Sequence, residues 1–418
     1  MNSVSFSVLF VAFVVVTLLV QFWLGSRHIR HILSHRQAVP AEFAEKIPLA
    51  AHQKAADYSV AKTKYGLLSL LFSTAVLMGF TLLGGLQALS QLLISLTGPG
   101  MAYQMALIAS FTLIGGLLDL PFSWYSQFVL EQRFGFNKMT PALFFSDLIK
   151  STLLGAAIGL PLIWIVLTLM QKSGAYWWFY AWLVFTGFQL LMMLIYPSVI
   201  APLFNRFTPL EDEALKSRIE DLMRRVGFAS KGLFVMDGSK RSAHGNAYFS
   251  GFGSAKRIVF YDTLITRLAP EEIEAVLAHE LGHFKLRHIV KRMLMMFVMS
   301  LGFLALLGYL KQQVWFYTGL GVNPLLVGDN DAMALILFML GLPVFTFLFS
   351  PLISLGSRKH EFEADAFAAH HTEAQDLVRA LVKLYEDNAS TLTPDPLHSA
   401  FYDSHPPASV RIRHLLAA

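Results

Sequence analysis

The segment HELGH, residues 279–283, has the residue types and the spacing needed for hydrolytic chemistry. Residues four apart on a helix project from nearly the same face, so His279 and His283 can bind one zinc ion together. Glu280 lies between them in sequence and can activate a zinc-bound water as a general base. This pattern is typical of zinc-dependent peptidases.

A third metal ligand is expected downstream, because hydrolytic zinc sites usually have three protein ligands and one position for water. A histidine six residues after His283 would complete one large class of peptidase sites, but Ile289 stands there. The segment SRKHEFEADAF (357–367) offers Glu361 and Asp365, which share one face of a predicted helix. We expect Glu361 to bind zinc and Asp365 to support a ligand histidine. Glu363 points about 200° away from Glu361 and is a weak rival.

Several further residues could contact a substrate. Two β-prone runs, 246–252 and 257–264, predict a hairpin whose exposed edge beside the zinc could pair with an extended peptide, although an ordinary packed hairpin has the same pattern. In HPPASVR (405–411), His405 or Arg411 could polarise the scissile carbonyl or stabilise an oxyanion. A loop anchored by its prolines is the alternative for that segment.

The helix that carries HELGH has a clear start signal and one unusual residue. Pro270, followed by two glutamates, is typical of a helix N-terminus. Ile273, Val276, Leu277 and Leu281 predict a buried stripe. Gly282 costs about 1 kcal/mol in a helix relative to alanine, and we expect it to let another backbone approach closely.

Composition places these residues in a membrane protein. The 418 residues are 55% hydrophobic and only 15% charged, with a mean hydropathy of +0.52, which indicates a polytopic membrane protein. We attribute the net charge of +5 to loops that face a membrane surface. The sequence contains no nucleic-acid motif and no nucleotide-binding loop. The absence of cysteine excludes disulfides and thiolate ligands.

Seven apolar stretches are long enough to cross about 30 Å of hydrocarbon as helices. They are residues 4–25, 66–94, 102–128, 145–170, 177–203, 294–316 and 334–356. Lysine and arginine are concentrated in alternate loops, with seven of them in 26–64 and none in 95–101 or 317–333. This bias predicts an N-terminus outside and a cytoplasmic location for 204–293 and 357–418. Spans six and seven would then bring Glu361 back beside the HELGH helix.

The chain resembles the CAAX prenyl protease 1 family of integral-membrane zinc metallopeptidases over nearly its whole length. The similar motifs are EQRFGFNKMTP (131–141), YPSVIAPLFNRFTPLE (196–211), GSKRSAHGNAYFSGF (238–252), HELGH, SRKHEFEAD (357–365) and SHPP with Arg411. The resemblance implies zinc on His279, His283 and Glu361, with Glu280 as catalytic base and Asp365 as proton donor or orienting group. Asn246 and His405 match positions that line the substrate groove of the family.

The resemblance also implies a mainly α, polytopic fold with seven transmembrane helices around a hydrated chamber. A zincin-like α+β peptidase domain closes the chamber on the cytoplasmic side. The predicted division is 1–203 for spans one to five, 204–293 for the first peptidase part, 294–356 for spans six and seven, and 357–418 for the second part. Expected partners are the lipid bilayer and a peptide or protein substrate, either prenylated at a CaaX-type end or a membrane protein undergoing quality control.

Two departures from the family pattern indicate a bacterial member in the inner membrane. The sequence ends in RIRHLLAA, without the retrieval signal of many eukaryotic members, and it has no long insertions between the last spans. A transporter or channel with a non-catalytic metal site is the alternative from another class, and Asp119 within a span would suit it. The two halves show no inverted hydropathy repeat, however. A peptidase with its site inside a membrane helix is disfavoured because the HELGH helix is too polar to span lipid.

Overall fold

Helices make up most of the protein. The computed structural model describes residues 1–230, 232–250 and 257–417. The α-helices are α1 (Ser3–His35), α2 (Leu49–Phe80), α3 (Gly85–Thr97), α4 (Met101–Tyr125), α5 (Gln132–Phe134), α6 (Pro141–Lys172), α7 (Trp177–Ile195), α8 (Glu213–Val226), α9 (Asp262–Ile265), α10 (Pro270–Lys285), α11 (His288–Leu310), α12 (Val314–Thr318), α13 (Asp331–Thr346), α14 (Ser350–His371), α15 (Ala374–Asp387), α16 (Pro396–Tyr402) and α17 (Ala408–Ala417). The strands are β1 (Phe207–Pro209), β2 (Leu233–Met236), β3 (Ala247–Ser250) and β4 (Arg257–Tyr261).

Among the described residues, seven helical elements are long and apolar enough to cross a membrane, as predicted. They are Ser3–His35, Leu49–Phe80, Met101–Phe134, Pro141–Lys172, Gly174–Leu203, His288–Leu310 and Asp331–His371. Large apolar side chains point outward from them, for example Leu153 and Val298, which are 65% and 67% exposed. Lipid must cover such apolar surfaces, because exposing them to water costs free energy.

The second span differs from its predicted limits of 66–94. Helix α2 begins at Leu49 and ends at Phe80, and a separate helix, α3, starts at Gly85. Thr81 already departs from helical geometry, with φ of -87° and ψ of -103°, and Gly84, with φ of 82° in the left-handed region, precedes the start of the second helix. The prediction was wrong here because hydropathy is continuous across a backbone break that only the glycine pair marks.

Neighbouring spans contact one another in a closed order. Tyr65 of α2 donates a hydrogen bond to the Phe122 carbonyl of α4, and the Trp182 indole of α7 donates to the Phe297 carbonyl of α11. α6 contacts both α4 and α7, α11 contacts α13, and α13 returns to α1, which packs on α2. This arrangement agrees with the predicted ring of seven spans.

A four-stranded sheet forms one part of the peptidase domain, in the order β1-β2-β4-β3. β2 and β4 are parallel, and β1 and β3 flank them as antiparallel neighbours. The predicted pairing of the runs 246–252 and 257–264 is confirmed, although the second run turns into α9 at Asp262. The intervening turn, residues 251–256, lies outside the described residues. β3 is an edge strand of this sheet.

The peptidase domain has its own hydrophobic core beside the membrane helices. Helix α8 is amphipathic, and its buried face packs on α10. α14 and α15 also pack on α10, and α17 packs on both of them. Phe43 and Ile47, from the segment between α1 and α2, complete the same core. This packing places α10 and α14 side by side.

Candidate metal centre

Helix α10 positions the HELGH residues as the sequence predicted. It begins at Pro270, and the Glu272 carboxylate accepts a hydrogen bond from the Ala269 amide at 2.8 Å. Ile273 and Leu281 are 1% and 0% exposed, so the predicted apolar stripe is buried. With that stripe fixed in the core, His279 and His283 are directed toward Glu361 of α14.

Gly282 allows α14 to approach α10 closely. A Cβ atom at this position would lie 3.1 Å from the Ala364 Cα atom and 3.3 Å from the Ala364 carbonyl oxygen. These distances are shorter than comfortable van der Waals contacts, so a larger side chain would push the helices apart. The predicted close approach of another backbone is confirmed, and its consequence is that Glu361 of α14 reaches the histidines.

His279, His283 and Glu361 converge in a buried cluster. His279 Nε2 lies 3.4 Å from Glu361 Oε2, and His283 Nε2 lies 3.3 Å from Glu361 Oε1. One possible ligand atom from each residue falls within 4.8 Å of the others. Glu361 Oε2 is buried and accepts no hydrogen bond from the described residues, a deficit that a bound cation would satisfy. Two imidazoles and a carboxylate in this arrangement suit zinc.

His279 is held from behind by a buried ion pair. Its Nδ1 atom lies 2.8 Å from Asp365 Oδ1, whose side chain is 0% exposed. Arg411 of α17 donates from Nε to Asp365 Oδ2 at 2.9 Å and from Nη2 to Oδ1. Burial lowers the pKa of His279, but the Asp365 and Glu361 carboxylates outweigh burial and raise it overall. Because a carboxylate can only accept, the hydrogen between the two groups lies on His279 Nδ1, and Nε2 faces the cluster.

His283 is held by a second imidazole that the sequence analysis did not identify. His283 Nδ1 lies 3.0 Å from His288 Nδ1, and His288 Nε2 lies 2.8 Å from Glu363 Oε2. His288 comes within reach because Arg287, with φ of 57°, turns the chain sharply between α10 and α11. The predicted separation of Glu363 from the metal cluster is correct, since it faces His288.

Glu280 faces a cavity of about 380 Å³ beside the cluster. The side chain is half-buried, and the cavity is also lined by Asn246, which precedes the edge strand β3, and by His405. A larger cavity of about 810 Å³ shares Asn246, His405 and Tyr385 with it and extends to Tyr58 of α2. The two cavities therefore adjoin, with His279 and Glu280 lining one and Tyr58 of α2 lining the other.

His405 and Arg411, predicted as alternatives, occupy different environments. His405 Nε2 lies 3.4 Å from Glu361 Oε1, and its side chain is 61% exposed, toward the cavity. Although the ring opens to the cavity, the protein around it and the charges of Arg411, His279 and His283 lower the pKa of His405 more than the Glu361 carboxylate raises it, so the ring is neutral near pH 7. The Arg411 side chain is only 8% exposed and is occupied by Asp365. His405 is therefore the more accessible of the two to a substrate.

Both halves of the chain are similar to known proteins. Residues 28–206 match the family described as CAAX prenyl protease N-terminal, five membrane helices, and residues 209–418 match peptidase family M48. The CAAX prenyl protease 1 of Saccharomyces cerevisiae is 36% identical over 90% of this chain and 88% of its own length. A homologue from Arabidopsis thaliana is 44% identical over 74% of this chain and 73% of its own.

A solved structure shares the fold. The crystal structure of S. mikatae Ste24p matches with a TM-score of 0.92 and 33% identity, covering 98% of this chain and 99% of the other. The transporter alternative is not favoured, because one family match is to the membrane part of CAAX prenyl proteases and the other is to a peptidase family. A bacterial source stays a prediction. The chain belongs to peptidase family M48 as a member of the CAAX prenyl protease 1 group, and it is a membrane-embedded zinc metallopeptidase that hydrolyses peptide bonds.

Proposed function

We propose that His279, His283 and Glu361 bind the catalytic zinc ion and that Glu280 is the general base. The observation that carries this proposal is the convergence of three ligand atoms within 4.8 Å, with one carboxylate oxygen left without a donor. When bound, zinc supplies Lewis-acid polarisation of the scissile carbonyl and lowers the pKa of water toward about 7. Glu280 accepts a proton in the cavity and returns it to the leaving amine.

The other site residues receive supporting roles. Asp365 orients His279 through Nδ1, and Arg411 holds Asp365, since its donors are directed to that carboxylate. His405 is neutral and faces the cavity, so it can donate a hydrogen bond to the substrate carbonyl oxygen. Asn246 lies at the start of edge strand β3, where an extended substrate can add as a further strand.

We propose that the substrate is a peptide carrying a prenyl group near its C-terminus. Two features support this class: the names of the relatives, and the larger cavity, which extends to α2 and adjoins the smaller cavity at the metal cluster. Cleavage of unmodified, membrane-inserted proteins is the competing possibility. Mass spectrometry of the products from one prenylated and one matched unmodified peptide separates the two.

We propose that the peptidase domain is cytoplasmic and that the N-terminus is outside. The segment 26–64, which carries seven lysines and arginines, contacts the peptidase domain through the pairs Arg27–Asp395 and Arg413–Glu42. Basic loops are retained on the cytoplasmic side, so this contact supports that side for the metal centre. The proposed division at 203/204 lies close to the boundary between the two family matches, which end at 206 and begin at 209.

The decisive experiment is the replacement Glu280→Gln in the full-length purified protein. We expect zinc content to remain at one per chain while the rate of peptide cleavage falls at least about 10²-fold. Glu271→Gln, at a half-exposed position on the same helix, is the matched control and should retain activity. Cleavage by Glu280→Gln at the control rate would contradict the proposed base, and wild-type protein without zinc would contradict the proposed ligands.

A further inference from the structure

We infer that His288 and Glu363 are positioning residues that set the tautomer of His283 and thereby prepare it to bind zinc. This inference rests on the ligand set proposed above and gives a positioning role to two residues outside that set. His288 is 0% exposed and lies between the other two side chains. The distances of 3.0 Å to His283 and 2.8 Å to Glu363 form one continuous hydrogen-bonded chain.

The direction of this chain follows from the chemistry of its ends. Glu363 as a carboxylate can only accept, so the hydrogen between it and His288 belongs to His288 Nε2. A neutral His288 then has an unprotonated Nδ1, which must accept from His283 Nδ1. With its hydrogen on Nδ1, His283 has a free electron pair on Nε2, the atom that faces Glu361. The reverse direction would place the hydrogen on Nε2 and block metal binding.

Two further contacts hold His288 in place. The ring of His360, from α14, stacks on His288 with centroids 4.1 Å apart and planes 13° apart. The left-handed backbone conformation of Arg287 sets the position of His288 at the start of α11. The ring therefore has little freedom to rotate away from His283.

A second metal ion is the competing explanation for the same residues. Ligand atoms of His288, His360 and Glu363 also lie within 4.8 Å of one another. If an ion bound His288 Nε2, the single hydrogen of the neutral His288 ring would have to be on Nδ1. When His283 Nε2 binds zinc, the hydrogen of the His283 ring is likewise on Nδ1, so the two N–H groups would point at each other. Two N–H groups facing each other across 3.0 Å repel, so the second ion and the hydrogen-bonded chain exclude each other. We therefore conclude that His288, His360 and Glu363 hold His283 in position and do not bind a second ion.

The test measures zinc affinity of the full-length protein in detergent by competition with a chromogenic chelator. Glu363→Ala should weaken zinc binding by about 10- to 100-fold, the effect typical of losing a partner behind a ligand histidine. Glu363→Gln retains an acceptor oxygen and should stay within about threefold of wild type. Glu220→Ala, at an exposed position on α8, is the matched control and should bind zinc as wild type does.

Thermal unfolding of the metal-free variants shows whether a loss is merely structural. We expect metal-free Glu363→Ala and Glu363→Gln to unfold at similar temperatures, while their zinc affinities differ. Equal zinc affinity in Glu363→Ala and wild type would overturn the inference. A wild-type content of two zinc ions that falls to one in His360→Phe would also overturn it, in favour of the second site.

These failures differ from failure of the proposed function. If His283→Ala retains zinc with wild-type affinity, the proposed ligand set is wrong. If His283→Ala loses zinc but Glu363→Ala does not, the ligand set stands and only the positioning role is lost.

Discussion

His279 and His283 lie one helical turn apart, yet the structure holds them by different means. Behind His279 is the carboxylate of Asp365, fully buried and paired with Arg411. Behind His283 is a neutral ring, His288, whose carboxylate partner is 35% exposed. A buried charge pair is costly to disrupt, whereas a half-exposed pair exchanges readily with water. One histidine is thus anchored in the domain core, and the other is anchored at its edge.

Among substitutions that test this difference between the two histidines, Asp365→Ala is expected to have the largest effect. It leaves the Arg411 charge buried and unpaired, which should destabilise the peptidase domain by about 3–5 kcal/mol and weaken zinc binding. Thermal unfolding and zinc content measure both effects. Asp147→Ala removes the partner of Arg241 in a less buried pair away from the metal centre and is the control. Asp365→Ala protein with wild-type stability would show that His279 is not anchored through this pair.

An intermediate effect is expected from Gly282→Val, which affects both histidines together. The added side chain must displace the Ala364 backbone, now 3.1 Å from where a Cβ atom would stand. We expect a loss of about 1–3 kcal/mol in stability, with Glu361 moved away from both imidazoles. Zinc affinity of the folded fraction is the measurement. Gly356→Val is the control for valine in α14, because a Cβ atom at that position would have no neighbour within 4 Å among the described residues.

The smallest effect on stability is expected from Glu363→Ala. Its partner His288 is buried, but the carboxylate itself is 35% exposed, so a water molecule can satisfy the His288 N–H without fixing the tautomer as a carboxylate does. The free energy of unfolding of the metal-free protein should change by less than about 1 kcal/mol. Denaturant unfolding of Glu363→Ala beside Asp365→Ala tests the contrast directly. Equal destabilisation by the two substitutions would remove the distinction between core and edge anchoring.

The sequence predicted the parts of the site that follow from helical periodicity. His279 and His283 share a face by their spacing, and Asp365 could be paired with Glu361 for the same reason. Gly282 was also interpretable, because glycine within a helix has a known cost that suggests close packing. Each of these inferences needed only the period of a helix and the position of a residue within it.

Other parts of the structure depend on backbone geometry that periodicity does not encode. His288 reaches His283 only because Arg287 adopts a left-handed conformation, which is uncommon for arginine. The break at Gly84 has the same origin, since an apolar run continues across it. The division of roles between His405 and Arg411 depended on how α17 packs on α14. In each case a tertiary contact determined the outcome.

The seventh span continues without an intervening loop into the helix that carries Glu361, as one helical element from Asp331 to His371. At about 1.5 Å per residue, Glu361 lies about 45 Å along the axis from Asp331. A tilt of about 2° over that length moves its far end by about 1.5 Å, and metal-ligand distances tolerate only about 0.2 Å. Spanning helices accommodate a change in hydrocarbon thickness partly by tilting, so the bilayer is mechanically connected to Glu361, the proposed third ligand. Activity in vesicles of short-chain and long-chain lipids would reveal this leverage.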